Sequence, residues 1–183
     1  MLEKCLIEYC SPTLASLKTA NLFNYSLEAG RDVADELFAV NCGLSEKGLF
    51  AVELRRSGGK ALIYVWRRSF LERDLGRPDV RCFLEGYGYR KTDMVSALMR
   101  LKERLAENES FPHEIGVFLG YPLGDVIGFI RNAGKNSKCS GWWKVYCDEC
   151  EAQKQFARFQ KCRDIYTKLW SEGRSVWQLT VAA

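Results

Sequence analysis

The sequence predicts an α+β fold, one domain over residues 1–183, with an antiparallel sheet and helices packed mainly on one of its faces. Two observations carry that expectation. LFAVELRR from Leu49 and KALIYVWR from Lys60 flank Ser57-Gly58-Gly59, and a Gly-Gly pair suits a two-residue hairpin loop with positive φ at both positions. Around this hairpin, apolar residues recur at spacings of three and four, the mark of amphipathic helices. A sheet with one partly polar face beside such helices is covered on one side.

The elements follow in order. Leu2 to Tyr9 has helical character, and Ser11-Pro12 reads as a cap and first-turn pair for a second short helix through Leu17. Asn21 to Tyr25 reads as a strand. After Gly30, the spacing of Val33, Ala34, Leu37, Phe38 and Asn41 predicts a helix ending at Gly43. A loop at Gly58-Gly59 sets Leu54 opposite Ile63 and Val52 opposite Val65 on one face, with Glu53 opposite Tyr64 and Ala51 opposite Trp66 on the other. Arg67 to Leu75 reads as a helix, Arg77-Pro78 as a break, and Val80 to Leu84 as a buried strand or turn running into Gly86-Tyr87-Gly88-Tyr89. Thr92 then caps a helix to Ala106 whose apolar side is Val95, Leu98, Met99, Leu101 and Leu105. Late in the chain come a strand from Trp142 to Cys147, a helix from Cys150 to Trp170 and a last strand from Val176 to Val181. In that helix Phe156, Phe159, Cys162, Tyr166 and Leu169 form the buried stripe, while Lys154, Arg158, Lys161 and Lys168 form a solvated basic side.

Composition narrows the function classes. Twenty-seven basic against 23 acidic residues leave a formal charge of +4, too small and dispersed to announce a nucleic acid or membrane partner. MLEKCLIEYCSPTL carries Glu3 and Glu8 and no long apolar core, so neither a signal peptide nor a membrane span is expected, and the chain reads as cytoplasmic. In that reducing compartment the eight cysteines read as free thiols or ligands rather than as a disulfide framework.

The stretch Ser110 to Arg131, SFPHEIGVFLGYPLGDVIGFIR, holds the single histidine, two of the four prolines and a glycine every fourth residue at 116, 120, 124 and 128. Pro112 suits a helix first turn, Gly120 a C-terminal cap, and Pro122 the start of a second helix with Leu123, Val126, Ile127 and Ile130 on one face. Helix, glycine turn, helix is also the geometry of a DNA-binding helix-turn-helix. On that register Val126 and Phe129 face inward, and Pro122, Leu123, Gly124, Ile127 and Gly128 face the groove. None of those five can make bidentate base contacts, so the chemistry argues against DNA reading. The glycine series leaves two uses open: tight packing of the chain on itself, or a flat ligand or second backbone lying on the glycine face.

FPHEIGVFLGYPLGDVIGFI, followed by GWWKVY and a helix bearing Lys161-Cys162, resembles a family of bacterial domains of unknown function common in anaerobic Firmicutes. SPTLASLKTANLF is similar to that family's N-terminal segment, so the likeness covers nearly the whole chain. The resemblance implies no established activity; it implies a setting beside flavodoxin-type and iron-uptake functions.

Chemistry must therefore come from side chains, and no motif specifies a reaction. His113 is the only imidazole, so acid–base catalysis by histidine or haem ligation by histidine must use it. The bland alternative is a histidine that hydrogen-bonds locally at a helix start. Catalytic candidates are His113, Glu114, Lys144 and Cys162. Glu114 is adjacent to the imidazole but points elsewhere on a helix, and Cys162 sits on an apolar stripe that keeps a thiol protonated. Candidates for holding a cofactor, with haem and flavin the ones to test, are His113, Gly116, Gly120, Tyr121, Trp143 and Tyr146. Cys147-Asp-Glu-Cys150 has CxxC spacing, and Cys139 and Cys162 could complete a four-sulfur site, although separations of eight and twelve residues are not a standard zinc pattern. Two function classes result. One is a small-molecule- or cofactor-binding protein, enzymatic or not, in iron or redox metabolism and with a redox protein as partner; the other is an interaction module without chemistry.

Overall fold

In a computed structural model of the chain, residues 2–27, 32–107 and 111–182 are described; Gly30 and Ser110 lie outside them. The chain divides into two compact units, Met1–Leu71 with Lys161–Ala183, and Glu72–Gln160.

The first unit is built on a three-stranded antiparallel sheet of order β1-β3-β2, with β1 Ala20–Ser26, β2 Leu49–Ser57 and β3 Lys60–Arg67. The Gly-Gly loop is as expected: Gly58 and Gly59 have φ of 56° and 72°, and Ser57 pairs with Lys60. Beyond Arg55 the register departs from the expectation. A bulge at Leu54 moves Glu53 opposite Ile63, Val52 opposite Tyr64 and Ala51 opposite Val65. One extra residue in a strand transposes its faces, so Leu49 and Ala51, not Val52, join the core with Ile63 and Val65. On β1, Phe23 and Tyr25 sit opposite Ile63 and Ala61 and extend that face.

Helix α1 (Leu2–Leu14) and helix α2 (Val33–Leu44) close over this face. Asp32 caps α2 by accepting a hydrogen bond from the Ala34 amide at 3.1 Å. Ser11-Pro12 does not begin a new helix; it lies inside α1, where the Ser11 hydroxyl donates to the Ile7 carbonyl one turn back. The end of α1 is capped from a distance. Arg67 is fully buried and donates from Nε to the Thr13 carbonyl and from Nη2 to the carbonyls of Leu14 and Val181, each at 2.7 Å. A guanidinium with several fixed donors suits the unpaired carbonyls of a helix end.

The predicted last strand is instead helix α9, Val176–Leu179. Ser175 and Gln178 form a reciprocal capping box, a Ser-x-x-Gln signal that outweighs the β-branched composition of the segment. Other corrections are of the same local kind. Val80 to Leu84 belongs to α4 (Pro78–Glu85), which has Pro78 in its first turn. Helix α5 (Met94–Glu107) is capped by Asp93, which accepts from the Ser96 amide, rather than by Thr92. Its buried side is Ala97, Leu101 and Leu105, while Val95 and Met99 are 61% and 62% exposed. Between α2 and α5, helix α3 covers Arg68–Gly76. Helix α8 (Glu149–Ser171) has the expected stripe: Phe159 and Cys162 are buried, and Lys154, Arg158, Lys161 and Lys168 are exposed.

One buried cation gives a pH test. Lys18 is enclosed in the first unit, its ammonium donating to the Ala20 carbonyl, and burial pulls its pKa down from 10.5 to about 7. The unfolded chain thus binds more protons between pH 7 and 10.5, and this residue's contribution to stability rises with pH across that window. Lys18→Met is expected to be more stable than the wild type at and below pH 7, with the difference shrinking toward pH 10.5; urea unfolding at several pH values checks it.

Candidate functional site

The second unit carries the predicted centre. Helix α6 (Ile115–Phe118) follows a turn in which Pro112 and His113 accept from the amides of Ile115 and Gly116. Gly120, at φ 74°, ends it, and Pro122 opens α7 (Leu123–Arg131) as expected. The predicted Trp142 to Cys147 strand is reduced to a short ladder of β4 (Cys139–Ser140) with β5 (Lys144–Val145). Trp142 and Trp143 lie in the connection and dock on helix α8 edge-on, Trp143 against Phe156 at 4.6 Å and Trp142 against Phe159 at 5.4 Å between ring centroids.

The residue that organises this unit is Asp125, in the first turn of α7 and 3% exposed. One carboxylate oxygen accepts from Trp143 Nε1, and the other accepts from the backbone amides of Tyr146 and Cys147, all at 2.8 Å. Three donors stabilise the charge of a buried carboxylate and tie α7 to the β5 segment. No local motif marks Asp125 for this role, because its donors lie 18 to 22 residues away.

Between α6, α7 and the β4–β5 segment lies a cleft of about 330 Å³. His113, Gly116, Tyr121, Trp143 and Lys144 all line it, so five of the sequence candidates meet in one place. The walls are aromatic. Tyr121 stacks on Trp143 at 5.2 Å and donates to the Trp142 carbonyl at 3.1 Å, and burial pushes its phenol up to about 12. On the other side Phe129 meets the His113 ring edge-on at 4.9 Å, with Phe111 beyond it at 6.2 Å. His113 is exposed and its ring makes no hydrogen bond to any described residue. It therefore borders the cleft and is not spent on a helix start. Lys144 donates to the Gly134 carbonyl at 2.6 Å, its ammonium 5.9 Å from the centre of Phe129.

The remaining candidates fall elsewhere. Glu114 is 1% exposed and turned away from the cleft, accepting from the Tyr89 hydroxyl at 3.2 Å and pairing with Arg104. That role is structural, as the divergence of adjacent helical side chains requires. Gly120 and Tyr146 are not cleft residues; Tyr146 covers the glycine face of α7. Cys162 belongs to the first unit, and burial raises its thiol to about 11, which disfavours the nucleophilic thiolate. Cys147 and Cys150 are exposed at the start of α8, and burial followed by the charge of Asp125 raises the Cys147 thiol. Among the described residues no group of three or more His, Cys, Asp or Glu side chains is arranged to hold a metal ion, and all eight cysteines are free thiols.

The glycine spacing is used for self-packing. A Cβ on Gly128 would lie 2.5 Å from both Cβ and Cγ of Tyr146, and one on Gly124 would lie 2.5 Å from the Cys147 sulfur. These two positions are ones a recognition helix would present to a DNA groove, and here the chain itself lies on them. Glycine to alanine inside a helix ordinarily stabilises by about 1 kcal/mol. Gly128→Ala is expected to reverse that sign and cost about 2 kcal/mol, because the stem of Tyr146 cannot swing aside. Thermal unfolding of the variant checks the sign.

Fold and cleft together define an α+β protein with a small aromatic site beside one imidazole and one ammonium. The chain belongs to the family described as "Protein of unknown function (DUF3793)", whose family model matches residues 6–180. No curated protein and no solved structure matches it. No helix among the described residues is long and apolar enough to cross a membrane.

Proposed function

We propose that this protein is a cytoplasmic binding protein for a planar ring compound, held in the cleft between α6, α7 and β5. The observation that carries this reading is the convergence of His113, Tyr121, Phe129 and Trp143 on one cleft, with an imidazole ring that has no hydrogen-bond partner among the described residues. Ligand sites combine apolar and aromatic walls with a few polar groups, and their volumes run from roughly 300 to 1,000 Å³. At about 330 Å³ this cleft takes one fused-ring system rather than a whole macrocycle, so flavin fits better than haem. A flavin would also accord with the redox and iron setting that the family resemblance implies, with a redox protein as partner. His113 then serves as ring-edge contact and hydrogen-bond donor, and as a proton-transfer group if the bound ligand is turned over.

The test is titration of riboflavin, flavin mononucleotide and haem into the purified protein and into His113→Ala, followed by absorption and by tryptophan emission. Saturable flavin binding that weakens at least about fivefold in His113→Ala supports the reading. A wild type that takes up none of these rings counts against it.

A second reading, an interaction module, draws on α5, which exposes Val95 and Met99 one turn apart opposite its buried side. Loss of a co-purifying protein on Val95→Glu/Met99→Glu would favour it.

A further inference from the structure

The polar groups of the cleft have a sign. Its single acid, Asp125, has both oxygens occupied by three N–H donors at 2.8 Å. Its single fixed cation is different. An ammonium offers three donors, and that of Lys144 gives one of them to Gly134 among the described residues. The His113 ring has no hydrogen bond to any described residue, and the Ser140 hydroxyl, also in the lining, has none among them either. Donors are in surplus and the only carboxylate is saturated. Lys144 and His113 border the same ring, Phe129, so a ligand lying against Phe129 reaches both.

From this we infer, resting on the ring-binding reading above, that the cleft selects aromatic acids: a planar ring carrying a carboxylate or phosphate group that Lys144 receives. The ring stacks among Tyr121, Trp143 and Phe129, and its anionic substituent accepts charge-assisted hydrogen bonds from the Lys144 ammonium with the Ser140 hydroxyl in reach of the same rim. A neutral ring gains the stacking alone. A cationic ring meets the ammonium at the rim and is rejected.

Calorimetric titration of the full chain with naphthoate, naphthyl phosphate, naphthylmethanol and naphthylmethylamine tests this, since the four share one ring and differ in charge. The acids are expected to bind at least about tenfold tighter than the alcohol, and the amine weakest. Lys144→Met should abolish the preference for the acids over the alcohol; Lys144→Arg should keep the preference and shows that the site is folded. Whichever of carboxylate and phosphate binds more tightly identifies the natural group. Equal binding of acid and alcohol by the wild type, or an acid preference that survives Lys144→Met, overturns the inference and leaves ring binding standing. Absence of binding by all four overturns the inference, and ring binding falls with it only if riboflavin, flavin mononucleotide and haem also fail to bind.

Discussion

Asp125→Ala is expected to lower the unfolding free energy by about 3 kcal/mol. The substitution strands the Trp143 indole N–H and the amides of Tyr146 and Cys147, which the carboxylate now satisfies at 2.8 Å. An orphaned buried donor costs roughly 1–3 kcal/mol. The indole bond is fully buried, whereas the two amides are partly buried and regain water, which sets the total nearer 3 than the sum of three maxima. Asp125→Asn should cost about half as much: the amide oxygen keeps the two backbone donors, but its NH2 then faces the Trp143 N–H. Urea unfolding followed by tryptophan emission measures both, and an Asp125→Ala cost under about 1 kcal/mol would show that another group holds Trp143 in the cleft wall.

Arg104→Leu should have an effect of similar size for a different reason. Glu114 is 1% exposed, and Arg104, whose side chain is 20% exposed, is its ionic partner, with the Tyr89 hydroxyl as a further donor. Removing one member of a buried pair costs about 3–5 kcal/mol, because the other charge stays behind without compensation, and the partial exposure of Arg104 favours the lower end. Replacing both by apolar residues is often close to neutral. Arg104→Leu/Glu114→Met is therefore expected to recover most of what Arg104→Leu loses, and a double variant no more stable than the single one would contradict this account of the pair. Neither change touches the cleft lining, so ligand affinity in the folded variants should be kept.

The parts of this fold legible in the sequence were those set by neighbours in the chain. Gly58-Gly59 fixed a turn because the φ angles it needs are local, and the stripe of α8 was readable because its period is carried by one helix. The register of β2 beyond Leu54 was not, since a bulge answers to the packing of the whole sheet. Val176 to Val181 reads as a strand, yet the reciprocal cap of Ser175 and Gln178 starts a helix there. The site divides in the same way. A lone imidazole, a run of glycines and a pair of tryptophans drew attention to His113, Gly116, Tyr121 and Trp143, which do share a cleft. Asp125 and the true partners of Glu114 stayed hidden, because their bonds join residues 10 to 25 positions apart.

The presence of a single histidine in the chain gives the central claim its most direct measurement. In a proton spectrum the imidazole of His113 contributes one unambiguous pair of ring signals, and a planar ligand seated against Phe129 and Trp143 shifts them by its ring current. Titration with riboflavin or naphthoate is predicted to move the His113 signals saturably, together with the Trp143 indole N–H, at the concentration where calorimetry reports binding. Binding that saturates while the His113 signals stay in place would contradict the cleft as the site.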